Sequence, residues 1–340
     1  SISRMEREYA QPPAVQIAVT IHRIFIAYWR DPIYLTSKLG LNLISGFFIG
    51  SSFYDQGAEI TKSSLQNKLF SVFMSLLLCT ALVQQLQPVA IAMRGLYEVR
   101  ERPSKMFRWP VFVLSVLAVE VPWNIIGGTL FWLPWYYLVG FSHESKRAAY
   151  SWGLYMLFQL FFSSLGQAIA LVSPSTVVAS EIFSTFFSFS IMFCGVVQPP
   201  PQLPYFWHKW MFHLSPFARL IEGFMGNSVA GKTVRCAEKE FNQIHPPAGQ
   251  SCREYLGNFS TTLDQPLVPG VGYFEQRSDG LCNYCPQRLG EDYLQSLDLN
   301  AANRYKDLGY LVVYIAFNYL LCFSFYYLFR VHRWHRAKRT

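Results

Sequence analysis

Residues 109–141 read WPVFVLSVLAVEVPWNIIGGTLFWLPWYYLVGF, an apolar run interrupted by one acid, Glu120. As a single helix these 33 residues would reach about 50 Å, well beyond the ~30 Å of a hydrocarbon core. Pro122 and Pro134, with Gly127 and Gly128 between them, predict kinks in one long crossing. The alternative is a hairpin of two crossings, and the charges outside the run decide between them.

Five further runs, at residues 33–53, 69–93, 150–172, 177–197 and 310–329, are each near the ~20 apolar residues of a membrane span. The stretch 94–108 carries Arg94, Arg100, Arg102, Lys105 and Arg108, and the chain's end carries Arg330, Arg333, Arg336, Lys338 and Arg339. Both should lie on the cytoplasmic side. An even count of six crossings, with both termini inside, satisfies that rule; a seventh crossing breaks it. Trp109 at one end of the third span, and Trp132, Trp135 and Trp152 toward the other, suit interfacial belts. The composition agrees: 51% hydrophobic and 15% charged residues, against the ~25% charged of soluble domains, exclude a soluble chain, a disordered one and a small disulfide scaffold. A charged opening (Arg4, Glu6, Arg7, Glu8) without a cleavable signal pattern reads as part of something longer.

After Pro12-Pro13, residues 14–30 place Gln16, Thr20, Arg23, Ala27 and Arg30 at spacings of three and four. This predicts an amphipathic helix lying in the membrane interface, and Arg23 argues against a further span. The expected organisation is therefore a lead-in and connecting helix (1–31), spans one to five (32–197), a long external segment (198–306), and span six with a basic tail (307–340).

The external segment opens with aromatic-rich residues 203–229, expected as short helices dipping into the outer leaflet, and continues as a small ectodomain with Cys236, Cys252, Cys282 and Cys285. Four cysteines in an oxidising compartment predict two disulfides, and a zinc site built on Cys282, Cys285 and His245 is the less favoured reading. Three connectivities are open. Pairing Cys282 with Cys285 closes a tiny loop; of the longer pairings, Cys236 with Cys285 and Cys252 with Cys282 staples two antiparallel arms in one register. The sequon at Asn258 predicts glycosylation on the same side. Residues 226–233, GNSVAGKT, match a phosphate-loop pattern. They follow no strand and open no helix, so no nucleotide or metal site is expected in this chain.

Four stretches carry a family resemblance: YWRDPIY (28–34), GFFIGSSFY (46–54), LYEVRERPSKMF (96–107), and FCGVVQPP (193–200) followed by Phe206-Trp207. Together they resemble the transmembrane half of an ATP-binding cassette exporter of the G subfamily, pleiotropic drug resistance type, across essentially the whole chain. The outer C-x-x-C and basic tail are similar to the second, C-terminal membrane domain of such pumps. The resemblance implies an all-α membrane fold of the ABC-2 type, ATP-driven efflux of amphipathic compounds, and a fungal plasma membrane. Its partners would be nucleotide-binding domains that carry ATP and Mg, a second membrane half, lipid and small amphipathic substrates; no nucleic-acid partner is expected.

The resemblance also assigns roles. The turn with Glu98, Arg100, Glu101 and Arg102 is similar to a coupling helix, and the mixture of acids and bases suits a docking surface rather than simple anchoring. The drug cavity would lie between spans two and five, with Met74, Leu77, Thr80, Ala81 and Gln84 facing Phe183, Phe187, Ser188 and Ile191. Where half-size multidrug members carry a bulky leucine pair as a gate, this chain has Val196 and Val197. Glu120 near mid-membrane, with Asn124 one turn on, predicts a structural polar cluster or a relay, because an ionised group there costs at least ~2.5 kcal/mol. Lys38, nearer the span's end, is expected to snorkel, with Asn42 beside it. A lipid or sterol exporter of the same fold, or a non-transporting scaffold, is the competing function.

Overall fold

The computed structural model describes residue 9 and residues 11–57, 60–198, 200–247, 250–256, 261–262, 272–276 and 281–332. The principal helices are α1 (Pro13–Arg30), α2 (Pro32–Ser52), α3 (Lys62–Leu96), α4 (Trp109–Val139), α5 (Ser145–Val172), α6 (Thr176–Met192), α7 (Pro216–Val229), α8 (Gly290–Ser296) and α9 (Arg304–Tyr326). Among the described residues, five helical runs are long and apolar enough to cross a membrane: α2, α3 extended to Glu101, α4, α5, and α9 with its flanking turns over Ala301–Val331. The sixth expected span, α6, is apolar but has only 17 residues, about 25 Å of helix.

Local sequence chemistry sets these ends. Thr61 and Ser64 form a reciprocal capping box at the start of α3, Ser175 caps α6, and Ser215 caps α7 with Pro216 in its first turn. Gly140 ends α4 in the left-handed conformation, at φ 72°. Residues 109–139 form one unbroken helix through both prolines, so this segment is not a hairpin.

Helices α2 and α4 cross at unusually close range because Gly46 and Gly50 meet the α4 backbone. A Cβ on Gly46 would lie 2.4 Å from the carbonyl oxygen of Phe131. Small residues four apart are how apolar helices approach within a bilayer. One large apolar core joins α3, α4, α5, α7 and α9 around Leu76, Phe131, Trp135, Phe158 and Phe224. A second, around Tyr97, Phe112, Val116 and Tyr326, lies at the end where α3 leads into the 97–107 elbow. Trp132 and Trp135, expected in an interfacial belt, are core residues; Trp152 stays partly exposed.

Packing sets the faces of two further helices. In α1 the polar residues Gln16 and Thr20 point into the bundle with Ile24 and Tyr28, while Val15, Val19, Phe25 and Trp29 are exposed. The first half of the polar stripe is thus an inner face, with Gln16 accepting from the Arg108 backbone N–H (3.2 Å); Arg23, half-exposed, reaches Glu101, and Arg30 stays exposed. Helix α7, within the stretch expected to dip into the outer leaflet, is buried at every residue, among α3, α5, α8 and α9.

The chain is not wholly helical. The cysteine-rich segment holds a four-stranded sheet, β1 (Asn242–Ile244), β2 (Thr261–Thr262), β3 (Tyr273–Gln276) and β4 (Cys282–Cys285), in the order β1-β4-β3-β2. β4 pairs antiparallel with both β1 and β3, and β2 runs parallel to β3. Disulfides join Cys236 to Cys285 and Cys252 to Cys282, the nested pattern, so both ends of β4 are stapled. Both cysteines of the C-x-x-C are therefore engaged, as disulfides and not as zinc thiolates. Asn258 lies outside the described residues.

Candidate functional site

The helix that links the parts of the site is α3. With the wider turn Tyr97–Glu101 it forms one helical run, Lys62–Glu101, ending in the elbow. Its inner face, including Val72, Leu76, Cys79, Val83 and Gln87, is buried; Met74, Leu77 and Gln84 are exposed, and Thr80 and Ala81 half-exposed. The expected α3 residues thus share one open stripe, apolar with a hydroxyl and an amide. Gln87 ties α6 alongside, donating to the Ala179 carbonyl (3.1 Å) and accepting from Ser180 (3.2 Å).

The α6 residues divide differently from the sequence expectation. Ser188 is exposed and Ile191 half-buried, but Phe183 and Phe187 turn into the chain's own core, Phe187 packing edge-on against Phe217 at 5.5 Å. The exposed aromatics of α6 are Phe186 and Phe189. Beyond α6, Val196 is half-buried and Val197 is 50% exposed, after a turn made at Gly195 with φ 88°. Phe193 stacks there on Trp207 at 5.1 Å.

The elbow is held by its acids. Glu101, 5% exposed, takes both guanidinium nitrogens of Arg23, Nη2 at 3.1 Å. Glu98 faces α9, 3.7 Å from Arg330 and 3.4 Å from the Tyr326 hydroxyl. Arg94 and Arg330 converge on the end of α5: Arg94 donates to the carbonyls of Ala170 and Ser173 (both 2.7 Å), Arg330 to those of Val172 (2.9 Å) and Ser173 (3.0 Å). These cations complete a helix C-terminus whose carbonyls have no helical partner. Glu98 and Glu101 therefore fix the elbow on α1 and α9. Val99, Arg100, Pro103, Ser104 and Met106 form its outward face, with Arg102 half-buried behind them.

A polar cluster crosses the interior between α2, α4 and α5. Lys38, 3% exposed, does not snorkel; it touches Glu120 and donates to Asn124 (2.7 Å), while the Tyr34 hydroxyl donates to Glu120 (2.9 Å). Asn124 donates to Ser163 (2.6 Å), and Asn42 and Gln159 extend the chain of contacts. Of the two roles the sequence suggests for Glu120, this arrangement has the form of a charge-paired structural cluster.

A second buried ionic cluster escaped the sequence reading. Arg219 on α7 touches Glu222 one turn on and lies 3.2 Å from Asp307 in the first turn of α9; all three are buried. Glu222 also accepts from the Asn300 N–H (3.1 Å) and the Asn303 amide (3.0 Å). The available signal was two opposite charges three residues apart inside the aromatic stretch 203–229. The phosphate-loop lookalike at 226–233 closes α7 and reaches a single bridge from Thr233 to Leu289, the reverse of a loop that opens a helix.

The cysteine-rich segment is latched to α3. Glu240 accepts from the backbone N–H of Ser63 (2.7 Å) and of Lys62 (3.2 Å) and from the Ser63 hydroxyl, occupying the helix N-terminus. Partial burial pushes its carboxyl up, but the hydrogen bonds from Ser63, Ala237 and Lys62 prevail and hold it below its ordinary value of 4.5. A depressed carboxylate contributes stability that is present above the ordinary value and lost as pH falls through the folded one. The latch is thus expected to hold at neutral pH and release below about pH 4.5. Glu240→Gln should weaken it at neutral pH by roughly 1 kcal/mol, as for a lost helix cap. Amide exchange at residues 62–65 checks both: it should rise in the variant at pH 7, and the wild type should approach the variant only in acid.

Comparison with known proteins places this geometry. The ABC-2 type transporter family model matches residues 15–229. The chain is 39% identical over 336 residues to the brefeldin A resistance protein of Schizosaccharomyces pombe, covering 97% of this chain and 22% of that protein. It is 33% identical to an ABC multidrug transporter of Aspergillus flavus (97% and 21% covered) and to a pleiotropic ABC efflux transporter of multiple drugs from Candida glabrata (96% and 22%). The chain spans about a fifth of the length of these relatives. With its matched helices, long α3 and elbow, the chain belongs to the ABC-2 type transporter family, as a membrane domain.

Proposed function

We propose that this chain is one membrane half of an ATP-driven exporter of amphipathic compounds. The observation that carries the reading is the Lys62–Glu101 run: one helix bears the open, sparsely polar stripe and continues into the clamped elbow. Movement imposed at the elbow is therefore delivered to the stripe along one continuous helical run, past the interior proline Pro88. The multidrug names of the fungal relatives support export as the activity.

In this reading the elbow end faces the cytoplasm, and Val99, Arg100 and Met106 rest on a nucleotide-binding domain that carries ATP and Mg, with Arg102 behind them. The cysteine-rich segment and Asn258 lie outside, α6 counts as the sixth crossing, and the membrane is the fungal plasma membrane. The stripe of α3, with Ser188 and Ile191, faces the second membrane half, and amphipathic substrates pass between them. An apolar wall with few hydrogen-bonding groups accepts varied shapes because no single contact dominates.

The Arg23–Glu101 pair provides the test. Arg23 is 42% exposed but the Glu101 side chain only 6%, so a lysine at 101 faces Arg23 from a buried position and costs more than the about 0–1 kcal/mol of an exposed pair. In the full-length protein, compared at matched abundance, Glu101→Lys should keep ATP hydrolysis near wild type while export falls by about fivefold or more. The exchanged pair, Arg23→Glu with Glu101→Arg, should recover much of that loss. Normal export by Glu101→Lys at normal abundance would contradict the coupling role.

A further inference from the structure

One acid on α6 takes no part in the contacts described above. Glu181 is the sixth residue of the helix, about 8 Å along its axis, and it is exposed. Among the described residues no hydrogen bond or ion pair engages its carboxylate. An acid turned to hydrocarbon is costly, and acids within spans face a bundle interior or a water-filled cavity. The face of α6 that carries Glu181 is therefore turned to an aqueous path and not to lipid.

That face is continuous with the α3 stripe. At 3.6 residues per turn, Thr185 and Ser188 fall within about 40° of Glu181 around the helix, and both are exposed. Across the groove, Arg94 bonds to Ser173, while Gln87 bonds to Ala179 and Ser180. Numbers fall along α3 as they rise into α6, so the two run antiparallel. Glu181 therefore stands just past the level of Gln87, toward the exposed Gln84, at the stripe's end nearest the elbow.

The charge of this wall is one-sided. Residues 69–93 contain no Asp, Glu, Lys or Arg, and Glu181 is the single charged residue among 174–197. The next cation along α3, Arg94, is buried and spent on the carbonyls of Ala170 and Ser173. A neutral compound passing here leaves the carboxylate to water, an anion is repelled, and a monocation gives it a partner. We propose that Glu181 is a specificity-determining residue of the path, favouring amphipaths that carry one positive charge over neutral compounds of the same shape. This role rests on the export reading above and adds a charge preference to it.

The test uses ATP-dependent uptake into inside-out vesicles holding the full-length protein at matched abundance. Two compounds are compared: a pyrenylbutyl trimethylammonium ion, and its isostere with tert-butyl in place of the ammonium, which differs only in charge. Glu181→Gln keeps the size of the side chain at an exposed position, so folding is spared. It should raise KM for the ammonium compound about five- to tenfold with kcat little changed, and move the isostere by less than about twofold. Glu181→Asp should keep most of the preference, and Glu181→Lys should lose the ammonium compound while still exporting the isostere. An unchanged ratio of the two KM values in Glu181→Gln would overturn the role, whether both compounds are unaffected or both fail together; joint failure would assign Glu181 to a contact with the second membrane half. Wild-type vesicles that export neither compound would overturn the export reading itself, and this role with it.

Discussion

Replacing Arg219 with leucine is expected to remove most of the folded protein. The guanidinium stands between Glu222 and Asp307, which are 3% and 0% exposed. Deleting the cation leaves two carboxylates facing each other without compensation, a change of about 3–5 kcal/mol for a broken buried pair. Because the three residues join α7 to α9, the loss should undo the seating of the helix on which much of the larger core is built. Thermal melting of the detergent-solubilised full-length protein, followed by size exclusion, checks it. Adding Glu222→Gln and Asp307→Asn to Arg219→Leu should recover a large part of the loss, since both amides carry no charge and the one at 222 still accepts from Asn300 and Asn303. If Arg219→Leu melts like wild type, the cluster does not hold α7 in place.

Lys38→Met should be nearly as damaging. Lys38 is the cation that touches Glu120, and the second carboxylate oxygen of Glu120 has no hydrogen-bond partner among the described residues. Its removal is again expected to cost about 3–5 kcal/mol. Lys38→Met with Glu120→Leu should melt above Lys38→Met alone, giving a non-additivity of about 1–3 kcal/mol between the two sites. A double variant that recovers stability and still exports would establish the cluster as structural. Recovery of stability without export would assign Glu120 a part in transport.

The large features were legible because they depend on composition over long windows. Runs near twenty apolar residues, basic flanks and an even cysteine count each sum many residues, so the helical membrane fold, the elbow and the need for two disulfides followed. Loop length disfavoured pairing Cys282 with Cys285, and an antiparallel register of the two arms favoured the nested pattern over the crossed one, which is the pattern present. What escaped depends on which way a face turns. Gln16 and Thr20 read as the outer stripe of an interfacial helix, yet they point inward because α1 packs on the elbow and leaves Val15, Val19 and Trp29 exposed. Lys38 sits where a side chain could reach the interface, but Glu120 on a neighbouring helix offers a nearer partner. Phe183 and Phe187 lie on the narrow buried face of α6, leaving Ser188 beside them exposed, a distinction of under one helical turn. The Arg219 cluster was hidden because its third member is 88 residues away. Periodicity reports that a helix has two faces; only packing states which one is inside.

Exported compounds are expected to pass along the open face of α3, and Gln84 is the residue to interrogate. Gln84→Cys, in the full-length protein in inside-out vesicles with the three buried free cysteines Cys79, Cys194 and Cys322 left in place, would be reacted with a small maleimide. A compound that the same vesicles transport should slow modification of Gln84→Cys, and ATP turnover should lift that protection as the compound leaves. Modification at the same rate with and without saturating compound, in vesicles that still export it, would contradict the account.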